Sequence, residues 1–432
     1  MQSPIRGQEL DMTLPLSAKP STTADVTTRC CIAGGGPAGM VLGYLLARAG
    51  VPVVVVEKHA DFLRDFRGDT VHPSTLQVLD DIGLLAAFDK LPQQKVDHLG
   101  MRFGDRMQPV IDFHGLKPFA YLALVPQWDF LDFIASEGRR RYPHFDLRMR
   151  HEATSLIEEN GRVCGVRADT PDGTLDIRAD LVVACDGRRS TLRSEVGLVA
   201  TDYGAPMDVM WFRVPREASD PEDAFATFSA GHMMVLLNRG DYWQAAYVVP
   251  KGGDQKLRAG PLEAWRAIVE KIASFLHGRL QVLTSWDDVK TLEVRVDRLA
   301  RWTCPGLLLI GDAAHAMSPI GGVGINLAIQ DAVAASNLLA PALRAGGPID
   351  EPLLRRVQSR RELPTRLIQA LQLQVQQRLI SRALENTGTP IEVPALLRWL
   401  LQFRVVRNLP ARLVGYGFRS ERVRTKEMAP AS

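Results

Sequence analysis

Gly34-Gly35-Gly36-Pro37-Ala38-Gly39 decides the reading of this chain. Ahead of it, Arg29-Cys30-Cys31-Ile32-Ala33 is an apolar run short enough for a buried strand. Behind it, Val41, Leu42, Leu45, Leu46 and Ala49 recur at helical spacing. The stretch predicts a strand, a tight turn and a helix. Gly34 permits the turn, Gly36 lets backbone N–H groups approach a pyrophosphate, and Gly39 lets the helix pack closely on the strand, its N-terminus facing the phosphates. Gly50 stops the helix, and Pro52-Val53-Val54-Val55-Val56 reads as the next parallel strand. Glu57 at its end stands 18 residues after Gly39, where a carboxylate can accept hydrogen bonds from a ribose diol. Pro37 and Ala38 in the first helical turn and Lys58 beside the acid complete this half of a dinucleotide site.

Far downstream, Gly306-Leu307-Leu308-Leu309-Ile310 is a second buried strand, delivering Gly311-Asp312-Ala313-Ala314-His315. A nicotinamide dinucleotide needs one such half and a nicotinamide pocket. FAD carries a ribityl chain and a tricyclic ring that need a second anchor, and Asp312 suits it. Gly321-Gly322-Val323-Gly324-Ile325-Asn326 then leads into a long helix starting near Asn326, whose N–H groups and dipole of about +0.5 charge would face the ring. The pair of motifs therefore points to FAD.

The 432 residues are too many for one ordinary core and imply two interlocked domains, and a formal charge of +3 implies no nucleic-acid or acidic partner. The charge is uneven: residues 351–432 hold 15 Lys and Arg against 6 Asp and Glu. The cysteines Cys30, Cys31, Cys164, Cys185 and Cys304 form no C-x-x-C pair and fit a reducing cytoplasm. No His, Cys or carboxylate spacing suggests a metal. Residues 1–26 read as a flexible arm without a signal peptide, and no run nears the ~20 apolar residues of a membrane span.

The fold expected is α/β, a Rossmann-like FAD-binding domain with an inserted mixed β-sheet substrate domain and C-terminal helices. The FAD domain is assigned 27–95, 124–200 and 291–346, the substrate domain 96–123 and 201–290, and a helical region 347–432. Within the insert, Trp211, Met233, Met234 and Trp243 are candidates for a substrate wall, together with Pro319. At the C-terminus, Leu367, Leu371, Val375 and Leu379 repeat at spacing four. Leu396 to Val406 reads as a packed amphipathic helix, a pocket lid or a membrane-surface helix flanked by Arg398, Arg404 and Arg407.

From about residue 28 to 345 the chain resembles the class A flavoprotein monooxygenases of the para-hydroxybenzoate hydroxylase type. The likeness is carried by Gly34-x-Gly36-x-x-Gly39 with Glu57, by Asp186-Gly187 with Arg188, Ser190 and Arg193, and by Gly311-Asp312 followed by Pro319, Gly321, Gly324 and Asn326. The resemblance implies that Glu57 binds the adenosine ribose, that Arg67 and Gln127 contact FAD, and that Asp312 holds the ribityl region. It places Pro319, Gly322, Gly324, Ile325 and Asn326 beside the ring and Asp186 against FAD, in a motif associated with NAD(P)H use. It further implies that NADPH or NADH visits as a transient hydride donor, since no second GxGxxG occurs, and that O2 forms a flavin C4a-hydroperoxide whose terminal oxygen goes to a carbon of an apolar, aromatic or polycyclic substrate. No side chain is then required as acid or base, so His315 is read as orienting its turn by hydrogen bonding and His72, before Pro73, as capping the helix that follows. Two other readings stand beside this one: a flavin-dependent dehydrogenase or reductase without oxygen insertion, and a non-catalytic flavin-binding partner docked through its basic C-terminal helices. A halogenase of this fold is disfavoured, because the Trp-x-Trp-x-Ile-Pro signature of that group has no counterpart in this chain. A monomer or a homodimer is expected.

Overall fold

A computed structural model of the chain describes residues 22–63, 70–103, 106–221, 224–229, 231–380 and 403–429. Its first sheet is parallel at the centre, with β5 (Leu307–Leu309), β4 (Gly173–Ala184), β1 (Thr22–Ala33), β2 (Val53–Glu57) and β3 (Phe145–Met149) lying side by side in that order. The arm expected through residue 26 ends sooner, because Thr22 to Val26 already pair with β4.

Register is what makes the site. Ala33 stands opposite both Val56 and Ala184, and Ala184 opposite Leu309. Four strands therefore end on one line, and Gly34, Glu57, Cys185 and Ile310 leave the sheet at the same edge. That edge is where an open parallel sheet forms its ligand crevice. The strands read as unbroken Val, Leu and Cys runs because both faces are covered. On one face lie α1 (Pro37–Arg48), α3 (Gln127–Arg141) and α5 (Val323–Ala345). On the other lie Val163 and Val166, from an antiparallel extension of the sheet, with Leu192 and Trp302. Long and apolar enough to cross a membrane, α5 is instead mostly buried against α1 in this core. All five cysteines are free, and burial drives the thiols of Cys30, Cys31 and Cys185 well up, that of Cys31 to about 12.

A second, mixed sheet orders its strands as Lys290–Leu292, Met207–Pro215, Tyr242–Pro250, His232–Asn238, Phe225–Ser229, His98–Phe103 and Arg106–Asp112. Only the contact between Phe225–Ser229 and His98–Phe103 is parallel, as a return from a distant part of the chain requires. One face packs on α4 (Leu262–Ile272), where Trp265 meets Phe212 at 5.0 Å and Tyr247 at 5.9 Å between ring centres. The other face turns toward the first sheet, its Met207, Phe228, Met233 and Val248 packing against Ile320.

Among the described residues, two further helices close the fold. α6 (Glu351–Val375) packs on α5, and α7 (Arg404–Tyr416) reaches α2 (Pro73–Asp81) and the Arg106–Asp112 strand. Beyond α7 the chain runs without regular structure along α5 and α1. It is held there by Arg422 on Asp81 (2.6 Å), Arg360 on Glu421 (2.7 Å), Tyr142 on Glu427 (2.9 Å) and the Met428 N–H on the Arg48 carbonyl (2.9 Å). Two of the basic residues of this region, Arg360 and Arg422, are spent on such ties.

Of the spacing-four set, Leu367 and Leu371 are exposed, as is Leu363 before them, Val375 is half-buried and the Leu379 side chain lies outside the described part, while Arg361, Thr365, Ile368, Gln369 and Gln372 are buried. The reason is chemical, since this helix lies on the carbonyl-rich backbone of 316–320, where an amide is worth more than a methyl group. Of the segment Leu396 to Val406, residues 396–402 lie outside the described part, as does Arg398.

Candidate functional site

The glycine turn is built as its spelling demands. A Cβ on Gly39 would lie 2.0 Å from the Gly34 carbonyl oxygen, and one on Gly34, at φ +106°, 2.4 Å from that of Cys185. A Cβ on Gly36 meets nothing within 4 Å, so the space before α1 is open. Gly36 is the N-cap of α1 and gives it no side-chain hydrogen bond; Pro37 follows at the first turn, where its missing N–H costs nothing. The free N–H groups of that turn are the kind of donor set a phosphate takes.

Glu57 sits beside this turn, one carboxylate oxygen accepting the Gly35 N–H (2.9 Å), the other accepting the His59 N–H (3.1 Å) and facing His59 Nδ1 at 2.5 Å. Burial pushes its carboxyl up, but these bonds outweigh it and hold the group below its ordinary range, so it is an anion. Lys58 turns outward to Glu152 at 3.6 Å, with half its side chain exposed. Gln127 is half-buried as the first residue of α3. Arg67 lies outside the described residues.

The other two motifs are tied to one another. The Arg188 guanidinium donates to Asp312 at 3.1 Å, while Arg193 donates to the Ala313 carbonyl at 3.1 Å and to that of Arg188 at 2.7 Å. Asp186 accepts from the Leu192 N–H at 3.2 Å through one oxygen; its other oxygen is buried with no partner in the protein. Burial, the largest influence, raises its carboxyl above the ordinary range. Gly311, at φ +61°, would put a Cβ 3.1 Å from that of Ala38, so the two glycine motifs abut.

The last part is the N-terminus of α5, which begins at Val323, earlier than the expected start near Asn326. Gly321 (φ +73°) and Gly322 (φ +63°) turn the chain into it through left-handed conformations, and no side chain caps it. Its first turn carries Gly324 and Ile325. The Asn326 side chain is spent on structure, accepting from the hydroxyls of Ser74 (2.6 Å) and Thr75 (2.9 Å) in α2. The Gly322 carbonyl lies 3.2 Å from the Thr70 hydroxyl and 3.1 Å from His72 Nε2, while His72 Nδ1 lies 2.7 Å from the Val414 carbonyl of α7. Burial holds the His72 imidazole neutral, down to about 4.

Sequence reasoning missed the groups that hold this loop from behind. Gln372 in α6 donates to the carbonyls of Ser318 (2.9 Å) and Ile320 (2.8 Å), Gln376 to the Ser318 hydroxyl (2.6 Å), and Gln369 to the carbonyls of Asp297 (2.8 Å) and Ala316 (2.9 Å). Asp331 was missed too: it accepts from the Gly311 N–H (3.2 Å) and from Arg361 (3.0 Å) and faces His315 Nε2 at 2.6 Å, all of it buried. The glutamines did leave a signal, three amides at helical spacing three and four.

Of the substrate candidates, Met233 and Trp211 lie on the face of the second sheet turned toward the Pro319–Gly322 loop, Met233 in the cluster that Ile320 joins and Trp211 beside Val235. Met234 and Trp243 do not: period-two alternation puts them on the opposite face in the α4 core. Trp243 is fully buried there, its indole N–H donating to Asp220 (2.8 Å), which also holds Arg279 (2.7 Å). Both are structural residues.

Two uncapped helix ends, an unpartnered carboxylate oxygen and open space at Gly36 fit a long dinucleotide cofactor. Comparison with known proteins agrees. The family described as FAD binding domain matches residues 27–370. The 6-methylpretetramide 4-monooxygenase of Streptomyces rimosus is 34% identical over 426 residues, covering 95% of this chain and 97% of that protein. The para-nitrophenol 4-monooxygenase of Pseudomonas sp. (strain WBC-3) is 25% identical over 334 residues, 73% of this chain and 78% of that one. Among solved structures, p-nitrophenol 4-monooxygenase PnpA from Pseudomonas putida DLL-E4 superposes with a TM-score of 0.74 at 22% identity, covering 91% of this chain and all of that one. OxyS anhydrotetracycline hydroxylase from Streptomyces rimosus superposes with a TM-score of 0.70 at 22% identity, covering 90% and 76%.

Proposed function

The chain belongs to the FAD-binding-domain family of aromatic monooxygenases, and on that premise we propose that its substrate is a fused-ring phenol; its S. rimosus relative is named for 6-methylpretetramide. It is an FAD-dependent monooxygenase that inserts oxygen from O2 into an aromatic or polycyclic small molecule, with NAD(P)H the usual reductant of the family. The alternatives without oxygen insertion are not favoured by these relatives.

FAD, when bound, supplies the redox chemistry, and the chain supplies the site. The N–H groups at the start of α1 are offered to the pyrophosphate, Glu57 to the adenosine ribose, and Asp186 and Asp312 to the stretch between. The start of α5, with Pro319 to Ile325, is offered to the ring, where a positive helix end favours negative charge. Gln127 is assigned to the rim.

The single observation carrying the substrate proposal is the apolar wall opposite this loop. Met101, Met207, Ala226, Phe228, Met233 and Val235 form a continuous surface on the second sheet, packed against Ile320. Such a wall excludes water and matches flat fused rings, and methionine adapts its shape to them. Five free thiols support a reducing compartment.

Purified protein is expected to be yellow. Tetracyclic phenols are expected to accelerate NAD(P)H oxidation and to yield a product heavier by one oxygen atom, read by mass spectrometry. A colourless protein that takes up no FAD removes the cofactor assignment. Turnover of nitrophenol but of no fused-ring phenol removes the substrate class while leaving the reaction standing.

A further inference from the structure

A groove of about 400 Å³ lies away from the site above, between α5, α6 and the extended chain that follows α7. Arg356, Arg360, Arg419 and Arg424 line it, with Asn337 and Ser359. One carboxylate, Glu421, enters the lining, and it is already committed. It holds Arg360 by two bonds of 2.7 and 3.0 Å and lies 3.6 Å from the buried Arg361.

Arg356, Arg419 and Arg424 have no carboxylate partner among the described residues. The arginines around them differ in this. Arg355 pairs with Glu351 at 2.9 Å, Arg366 with Glu362 at 4.0 Å, and Arg422 with Asp81 at 2.6 Å. Uncompensated charge is thus gathered at a concave place in this region.

The backbone carrying these arginines is fixed. Asn337 accepts from the Arg424 N–H at 2.8 Å and donates to the Arg422 carbonyl at 2.9 Å, the Arg419 carbonyl takes Arg361 at 3.0 Å, and the Glu421 N–H donates to Gln330. Three arginines thus line one groove from a fixed backbone. Fork-shaped donors so arranged suit the bidentate geometry of phosphate oxygens, and a fixed platform lowers the ordering cost of binding. The volume exceeds that of a lone phosphate and suits a nucleotide-sized ligand.

We propose that this groove is a binding site for a phosphate-bearing anion of nucleotide size, which locks the C-terminal segment onto α5 and α6. The phosphate could be carried by a nicotinamide dinucleotide or by a free phosphate compound, and the test separates the two.

The holoenzyme is titrated calorimetrically at low ionic strength with inorganic pyrophosphate and with adenosine 2′,5′-bisphosphate, with adenosine and sodium chloride as controls. Saturable binding of at least one of the two phosphates is expected, weakened by about tenfold or more in the double variant Arg356→Ala/Arg424→Ala, whose exposed side chains leave folding intact. Arg355→Ala, just outside the groove, is expected to bind as the parent does. If the double variant also raises KM for NADPH, the dinucleotide is the source; if KM is unmoved, a free phosphate compound is. Binding that the double variant retains, or heat no greater than sodium chloride gives, overturns the proposal.

Discussion

Asp331 receives His315 Nε2 at 2.6 Å, and with its remaining capacity it fixes both the Gly311 N–H and the Arg361 guanidinium. One buried carboxylate therefore joins the strand end beside the cofactor crevice to α6. Through Arg361 and the Arg419 carbonyl it reaches the C-terminal segment as well. Burial would raise the Asp331 carboxyl, but His315 and then Arg361 more than offset this and keep it low. The His315 ring, its centre 4.9 Å from that of Trp302, is held by this contact directly behind the Gly311–Ala313 turn.

Replacing Asp331 by Asn removes the nearer of the two carboxylates beside the buried Arg361 and leaves it only Glu421 at 3.6 Å. The expected loss is about 3–5 kcal/mol in urea unfolding of the apoprotein, with weakened FAD retention. A variant as stable as the parent sinks this account of the network.

Gln372→Leu keeps the bulk of the side chain and strips the Ser318 and Ile320 carbonyls of their donor, at about 1–3 kcal/mol for each group left buried and unpaired. Because those carbonyls fix the Pro319–Gly322 loop, the fraction of NAD(P)H consumed that ends in hydroxylated product is expected to fall. Equal coupling in variant and parent shows that the loop does not depend on the glutamine.

The two faces of the second sheet separate cleanly by mutation. Trp243→Phe removes the indole N–H from Asp220 and is expected to lower stability by about 1–3 kcal/mol with KM unchanged. Met233→Trp overfills the opposite face and is expected to raise KM several-fold at modest cost in stability. A Trp243→Phe enzyme of normal stability and altered KM reverses the assignment.

His72 makes stability fall on the acid side. Its imidazole titrates at about 4 in the folded protein against 6.5 ordinarily, so the unfolded chain binds the extra proton between those values. The contribution is complete above pH 6.5 and disappears as pH drops toward 4, with a span on the order of 3 kcal/mol. In His72→Gln, whose side chain does not titrate, the unfolding midpoint is expected to change less steeply over that window. Identical slopes refute the assignment.

What the sequence made legible was whatever rests on backbone geometry. The glycine turn, Glu57 and the Gly311-Asp312 strand end could be read because φ, close approach and strand periodicity leave few residue choices. Groups that act across the chain could not. Nothing near Gln372 in sequence names the carbonyls of 318 and 320, and a helix bearing Leu363, Leu367 and Leu371 invites the wrong buried face when backbone, not side chain, is its partner. Trp243 was misplaced for a related reason. Period two says that neighbours part, and only the register with Asn238 and Val214 tells which side is the core.

The abutment of Gly311 on Ala38 also sets an order of events during synthesis. The crevice needs β5 beside β4, and both beside β1, so a nascent chain holding only the first glycine turn has an incomplete edge to its sheet. Contacts this distant along the polypeptide form late and slowly. Prosthetic-group capture is therefore a terminal event of maturation, reached after nearly three quarters of the polypeptide has left the ribosome, and N-terminal fragments gain no protection from the vitamin.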